Sequence, residues 1–205
     1  MNNIRISVSI VIYDLDELML ANCLKSLRKA IEICAVMRNI SASSVTIIDN
    51  GGNGVSLETF SSDNVHVVSN ESNVGYGSAH NQVIANSTAD FHLIVNPDVI
   101  VDRDYFSRTI ELMERNLDVV LVGPKGTTPN GCNAYLSKRH PSLLVLLIRG
   151  IGLRWLSFAF RKKIAEYEYH DLTGAEPFDV ELISGCCMFT RTRALRDMGS
   201  FDEDF

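Results

Sequence analysis

The sequence has no run of 18 consecutive apolar residues, which leaves it without a convincing membrane span. Its N-terminus enters a strand-like pattern with no basic stretch, apolar stretch and cleavage site, so no signal peptide is expected. The cysteines, Cys23, Cys34, Cys132, Cys186 and Cys187, form an odd set with no C-x-x-C pair and no Cys/His ligand spacing. They read as free thiols in a reducing compartment, and the cytoplasm is the expected location. Positive charge is short as well. With 19 Lys and Arg against 25 Asp and Glu, the net charge of -6 argues against a general nucleic-acid binder. No G-x-x-x-x-G-K-[ST] and no G-x-S-x-G occurs, which excludes a P-loop and a hydrolase nucleophile elbow. Where a dinucleotide fingerprint would follow the first strand, the chain reads Tyr13-Asp14-Leu15-Asp16, without glycine.

What remains is ordinary globular composition, 46% hydrophobic and 21% charged, enough for about one domain with a sizeable core. Ser7 to Tyr13 is a β-branched run and predicts a buried strand. Asp16 suits an N-cap, with Glu17 in the first helical turn. Leu20, Leu24, Leu27, Ile31, Cys34 and Ala35 then recur at helical spacing. Strands are predicted at Val45 to Ile48, Val65 to Val68, Phe91 to Val95 and Val119 to Val122. Helices are predicted from about Ser78 to Asn86, and from an Asp102 cap to about Asn116. Two Gly/Asn-rich loops, Asp49 to Gly54 and Asn70 to Gly77, follow the second and third strands. This alternation predicts a doubly wound α/β fold with a mostly parallel central sheet flanked by helices. A strand around Ser184-Gly185 and a short helix from Arg193 to Met198, stopped by Gly199, complete the pattern.

The stretch that organises the rest is Phe91-His92-Leu93-Ile94-Val95-Asn96-Pro97-Asp98. Pro97 ends the strand, and Asp98 follows at its C-terminal end, where open α/β sheets bind ligands. A carboxylate there could hold a divalent cation, and the cation a diphosphate; the plainer alternative is a turn with Asp98 as a helix cap. Tyr13-Asp14, Asp49-Asn50 and Asn96-Pro97-Asp98 should share one rim, which looks more like a site than coincidence. Asp14 and Asp16 read as turn and cap. Tyr76 fits packing as well as stacking. His80, His92 and His170 have no ligand-spaced partner and read as ordinary. Cys186 and Cys187 read as small core residues. A rival lies in the first strand: Ile10 to Asp16 resembles the D-x-D opening of haloacid-dehalogenase-like phosphatases. Leu18 stands where that family has Thr or Val, and its later Lys and Asp pair is missing.

A broader resemblance covers nearly the whole chain. SVSIVIYDLDELMLANCLKSL, VTIIDNGGNG, ESNVGYGSAHNQVI, FHLIVNPDVIV and ELISGCCMFTRTRALRDMGSFDEDF occur in that order. They resemble the successive motifs of family 2 glycosyltransferases of the GT-A fold, especially rhamnosyltransferase-like members that build bacterial surface polysaccharides. Asp14 replaces that family's usual Asn, and Cys186 its Ala.

The resemblance implies a nucleotide-sugar-binding half over residues 1–123 and an acceptor-side half over 124–205, shortened relative to the family. It implies that Asp49 accepts a hydrogen bond from a uracil or thymine ring, with Asn50 in the same motif and Tyr13 beside the base. Gly75, Tyr76 and Asn81 would shape the nucleotide floor. Asp98 would coordinate Mg2+ or Mn2+ on the diphosphate of a dTDP- or UDP-sugar, with Asn96 a neutral helper. The expected reaction is inverting transfer, plausibly of rhamnose, to a lipid-linked glycan in O-antigen or capsule-type synthesis. Asp202, Glu203 and Asp204 are carboxylates near the place of the general base, but the family pattern puts that base beyond Phe205. The alternative is a nucleotide-sugar-binding or scaffold domain without transfer. From Lys138 to Lys163 the chain has seven Lys or Arg and no acid, around a Leu-rich stretch. That segment reads as a surface helix pair or as a peripheral contact with the inner face of the bacterial inner membrane.

Overall fold

The computed structural model describes residues 3–14, 16–51, 57–143, 146, 160–171 and 176–204. Two compact units form: Met1–Val122 with Gly185–Phe205, and Gly123–Ser184. The first contains strands β1 (Ile4–Ile12), β2 (Ile40–Asp49), β3 (Val65–Ser69), β4 (Phe91–Val95), β5 (Leu121–Val122) and β8 (Cys187–Arg191). Its helices are α1 (Glu17–Met37), α2 (Tyr76–Asn86), α3 (Tyr105–Arg115) and α5 (Thr192–Asp197). The second unit holds β6 (Ser137–Lys138), β7 (Leu182–Ile183) and α4 (Arg161–Tyr167).

The six-stranded sheet runs β3-β2-β1-β4-β8-β5. β1 is parallel to β2 and β4, and β2 to β3, while β8 is antiparallel to both β4 and β5. The mostly parallel α/β architecture is the one expected. The fifth strand, however, does not sit beside the fourth, because β8 returns to lie between them.

Alternation along β1 separates two environments. Ile6, Val8, Ile10 and Ile12 pack with Leu20, Cys23 and Leu27 of α1 and Phe106 and Ile110 of α3 in the main core. At roughly 1.5–3 kcal/mol per buried large aliphatic side chain, that face carries most of the stability. The opposite face is thin: a cluster of Val11, Ile48 and Ala79, with Val83 against it. Beside it lie buried polar residues, Ser7, Ser9, His80, His92 and Thr190. In α1 the buried stripe is Leu20, Cys23, Leu27, Ala30 and Cys34; Ala35, expected on it, is exposed.

Local signals explain the element ends. Asp16 caps α1 by accepting from the Met19 N–H at 3.0 Å, worth about 1 kcal/mol. Gly199, at φ 91°, stops α5; Gly199 and Ser200 donate to the carbonyls of Arg196 and Leu195. The expected Asp102 cap is incorrect. Residues 103–104 form a turn, α3 starts at Tyr105, and Asp102 offers only its carbonyl to the Tyr105 N–H. The cap position falls to Asp104, whose carboxylate is drawn off the helix end by Arg108 at 2.6 Å. Ser184-Gly185 is not inside a strand either, but lies in the turn between β7 and β8.

In the second unit, Arg139 makes two hydrogen bonds to Asp171 at 2.9 and 2.7 Å and lies over Tyr169. Lys138 pairs with Glu168 at 3.0 Å and Lys163 with Glu166 at 3.3 Å. Part of the positive charge of 138–163 is thus matched by acids that follow it. The Leu-rich helix pair expected from 141 to 160 lies largely outside the described residues. No described helix is long and apolar enough to cross a membrane.

Candidate functional site

The parallel register brings the C-terminal ends of β1, β2 and β4 to one rim. Ile12 pairs with Asp49, and Ser9 with Ile94, so Asn96 comes level with the end of β1. Tyr13 and Asp14 are exposed just past β1, and Asp49 closes β2 almost wholly buried.

Beyond β4 the chain makes a tight turn. The Val99 N–H donates to the Asn96 carbonyl at 3.2 Å, so Pro97 and Asp98 occupy its two central positions. Proline fixes the first of these without strain, and Asp98 follows as an exposed residue. No hydrogen bond or ion pair among the described residues engages its carboxylate. The Cys23 thiol lies beneath the turn, 3.7 Å from the Asn96 carbonyl. Burial pushes that thiol up to about 12, and Cys187 and Asp98 nearby push the same way. Cys187 is likewise pushed up to about 11 by burial, so neither is a thiolate nucleophile. Both pack in the main core, the role that the sequence context of Cys187 suggests.

Asp49 uses Oδ1 to accept the Gly51 N–H at 3.0 Å; Oδ2 makes no hydrogen bond among the described residues. Residues 52–56, the rest of that Gly/Asn loop, lie outside the described residues.

The Asn50 side chain engages the loop that follows β3. Its amide donates to Asn73 Oδ1 at 2.8 Å and to the Gly75 carbonyl at 3.2 Å. Its oxygen accepts from Asn70 Nδ2 at 3.0 Å and the Val74 N–H at 3.1 Å. All four hydrogen-bonding sites of the side chain are occupied by the 70–75 loop. Asn50 therefore shapes the rim by holding that loop. Asn50→Ala would strand several polar partners, and a stability loss of roughly 3 kcal/mol is expected as a lowered urea midpoint. An unchanged midpoint would show the loop to be held by other contacts.

Gly75 starts α2 at φ 88°, a left-handed conformation that a side chain would strain. Tyr76 follows, with its hydroxyl 2.7 Å from the Gly185 carbonyl and 3.2 Å from Asn96 Oδ1. That hydroxyl ties the end of β4 to the segment entering β8. A Cβ on Gly77 would come within 2.8 Å of Phe201 Cβ, so only glycine admits this approach.

Asn81 reaches the C-terminal segment. Its amide brackets Phe201, donating to that carbonyl at 2.9 Å and accepting from that N–H at 3.1 Å. It also donates to Glu203 Oε1 at 2.8 Å. Asp202 Oδ1 accepts from the Asp204 N–H at 3.0 Å, and all three acidic residues are exposed. Asn81 and Glu203 are thus brought together, a pairing across 122 positions that no sequence pattern announces.

Sequence reading also missed a second cluster. Ser9 Oγ lies 2.7 Å from His80 Nδ1 and 2.8 Å from His92 Nε2, all three residues buried. Burial pushes His80 down to about 3, with His92 adding to the effect, and His92 down to about 4. Neither histidine stands alone.

A family model, glycosyl transferase family 2, matches residues 7–199. The chain belongs to this family. Membership replaces the phosphatase alternative, and Asp16 serves as the helix cap described above. No curated protein matches this family 2 chain. Among solved structures it resembles the mannosyltransferase PcManGT from Pyrobaculum calidifontis in complex with GDP-Man and Mn2+. The TM-score is 0.61 at 12% identity, covering 99% of this chain and 49% of that one. It also resembles S. aureus TarS 1–349 in complex with UDP, with TM-score 0.54 and 15% identity over 98% of this chain and 51% of that one. The same fragment with UDP-GlcNAc gives 0.53 at 15% identity, over 97% and 49%. The chain spans about half the length of these structures, and the likeness establishes a GT-A glycosyltransferase fold.

Proposed function

We propose that this family 2 chain binds a nucleotide-diphospho-sugar and supports inverting sugar transfer. The observation that carries the reading is Asp98, exposed and uncommitted on a proline-fixed turn at the rim where Asp49 also lies. A divalent cation suits this donor set. Mg2+ and Mn2+ accept oxygen ligands and are held by one or two carboxylates together with substrate phosphates. No group of three or more metal-ligating side chains occurs among the described residues. When bound, the ion would neutralise the diphosphate as it leaves.

The chain's own residues supply the rest. Asp49 Oδ2 would accept the imide N–H of a uracil or thymine ring, beside Tyr13. Gly75 and Tyr76 form the floor toward Asn96. The proposed donor is a dTDP- or UDP-sugar with rhamnose the preferred sugar. The proposed acceptor is a lipid-linked glycan of O-antigen or capsule type, met at the cytoplasmic face of the inner membrane near 138–163. PcManGT with GDP-Man and Mn2+, and TarS with UDP, support a nucleotide-sugar donor in general. In this reading residues 1–123 carry donor binding and 124–205 the acceptor side.

A second reading, donor binding without transfer, is favoured by one observation. Glu203 is held by Asn81 and Asp202 by its own turn, so two of the three C-terminal carboxylates are already engaged in hydrogen bonds. A general base must be able to take the acceptor hydroxyl proton. Titration calorimetry with UDP, dTDP and GDP, each with and without Mn2+, tests both readings. Manganese-dependent binding of UDP or dTDP at micromolar Kd is expected. Absence of binding by all three overturns both readings, while binding without turnover of any sugar nucleotide selects the second.

A further inference from the structure

Ser9 on β1, His80 on α2 and His92 on β4 meet in the thin layer between α2 and the sheet. A serine hydroxyl has one proton. It can donate to one ring nitrogen and must accept an N–H from the other. One imidazole therefore presents N–H to Ser9 and the other a lone pair. Because the facing atoms are His80 Nδ1 and His92 Nε2, the two neutral rings share one tautomer, both Nδ1–H or both Nε2–H. Their far nitrogens, His80 Nε2 and His92 Nδ1, have no hydrogen-bond partner among the described residues. Apolar side chains would fill this layer without that cost, about 1–3 kcal/mol for each unsatisfied polar group.

The cluster leads directly to the rim. The His80 ring meets the Tyr76 ring edge-on, centroids 4.4 Å apart at 70°. Tyr76 in turn holds the Gly185 carbonyl and Asn96 Oδ1. His92 lies on the same short strand that delivers Asn96 and Asp98. One hydroxyl thus locks α2 against the strand bearing the cation-binding turn, and Tyr76 closes the loop above it.

We propose that Ser9, His80 and His92 are positioning residues for the donor site, setting Tyr76 over Asn96 and Gly185 through a pair of like histidine tautomers joined by one hydroxyl. The proposal rests on the donor-site reading above. None of the three touches a ligand; they act through Tyr76. Neutral rings are required, and their burial favours them.

Ring 15N spectra of the whole chain test the arrangement without any ligand. At pH 7 the two buried histidines are expected in the same tautomer, both Nδ1–H or both Nε2–H. One ring of each tautomer, or a cationic ring, would overturn the proposal. Ser9→Ala should then shift the Tyr76 ring resonances and weaken UDP–Mn2+ binding by about tenfold, a usual size for the loss of an outer-shell partner. In a Tyr76→Phe background the same change should add less than twofold, because its route to the ligand is gone. Additive losses, or unmoved Tyr76 resonances, would refute a positioning role. If the unmodified chain binds none of UDP, dTDP and GDP, the donor reading fails. The tautomer pattern and the Tyr76 resonances then decide the network on their own.

Discussion

Replacing Asp98 with alanine is expected to abolish the manganese dependence of nucleoside-diphosphate binding and to lower sugar transfer at least about a hundredfold, with thermal stability unchanged. The separation of the two effects follows from the local structure. Asp98 is exposed and makes no hydrogen bond or ion pair among the described residues, so its loss strands no partner. The turn that carries it is held by the Val99 N–H and by Pro97, both untouched. Stability should therefore move by no more than about 0.5 kcal/mol, as for other surface substitutions. On the proposed reading the functional loss is large, because the carboxylate would be the chain's direct hold on an ion that offsets developing charge, where single lost stabilisers cost about 100- to 1000-fold. Asp98→Asn, which preserves shape and removes charge, should fall with alanine. Metal-dependent binding retained in both variants would move the ion to another residue. A fall in melting temperature without loss of binding would make the Asn-Pro-Asp turn structural.

Acid should unfold this chain earlier than its carboxylates alone would bring about. His80 and His92 are fully buried, and burial lowers them to about 3 and about 4. In the unfolded chain each returns to the ordinary histidine value near 6.5. The sign follows from linkage. Above the unfolded value both states are neutral and no stability is at stake. As pH falls below it, the unfolded chain takes up protons that the folded core refuses, so stability drops until the folded values are reached. Between pH 7 and pH 5 the loss is about 2 kcal/mol per ring, or about 4 kcal/mol together. Urea unfolding at the two pH values measures it. His92→Gln should roughly halve the pH slope whatever it does to stability at pH 7. Equal midpoints at pH 7 and pH 5 would mean that the rings are hydrated or charged in the folded protein.

The sequence was legible where a signal is local. The β-branched runs of β1 and β4, the Asp16 cap, the Gly199 stop and the proline that ends β4 each act within a few residues of themselves. The ordered motifs led to the family and the fold for the same reason. Competition between neighbours was harder to read. Asp102 and Asp104 are equivalent as caps on paper, and Arg108 helps settle the matter by taking up the Asp104 carboxylate. Asn50 reads as part of a ligand motif because it adjoins Asp49; that its amide also holds a loop 20 or more positions away is invisible locally. Least legible were pairings that only sheet register creates. Ser9 and His92 are 83 positions apart, and they meet because β1 and β4 lie side by side. His80 and His92 look ordinary one at a time; their partnership belongs to the tertiary structure.

The place of β8 has a consequence during synthesis. A ribosome releases β4 long before it releases the strand that covers β4's outer edge, since Val95 pairs with Cys187. At about 5–20 residues per second, that edge stays bare for roughly 5 to 20 s. β5 meanwhile has no neighbour in the sheet other than β8 and must wait as well. An apolar strand with an open edge is a template for pairing with another chain. Nascent copies crowded on one messenger are thus most exposed to mispairing between the emergence of β4 and that of β8, the interval in which a chaperone would have most to do.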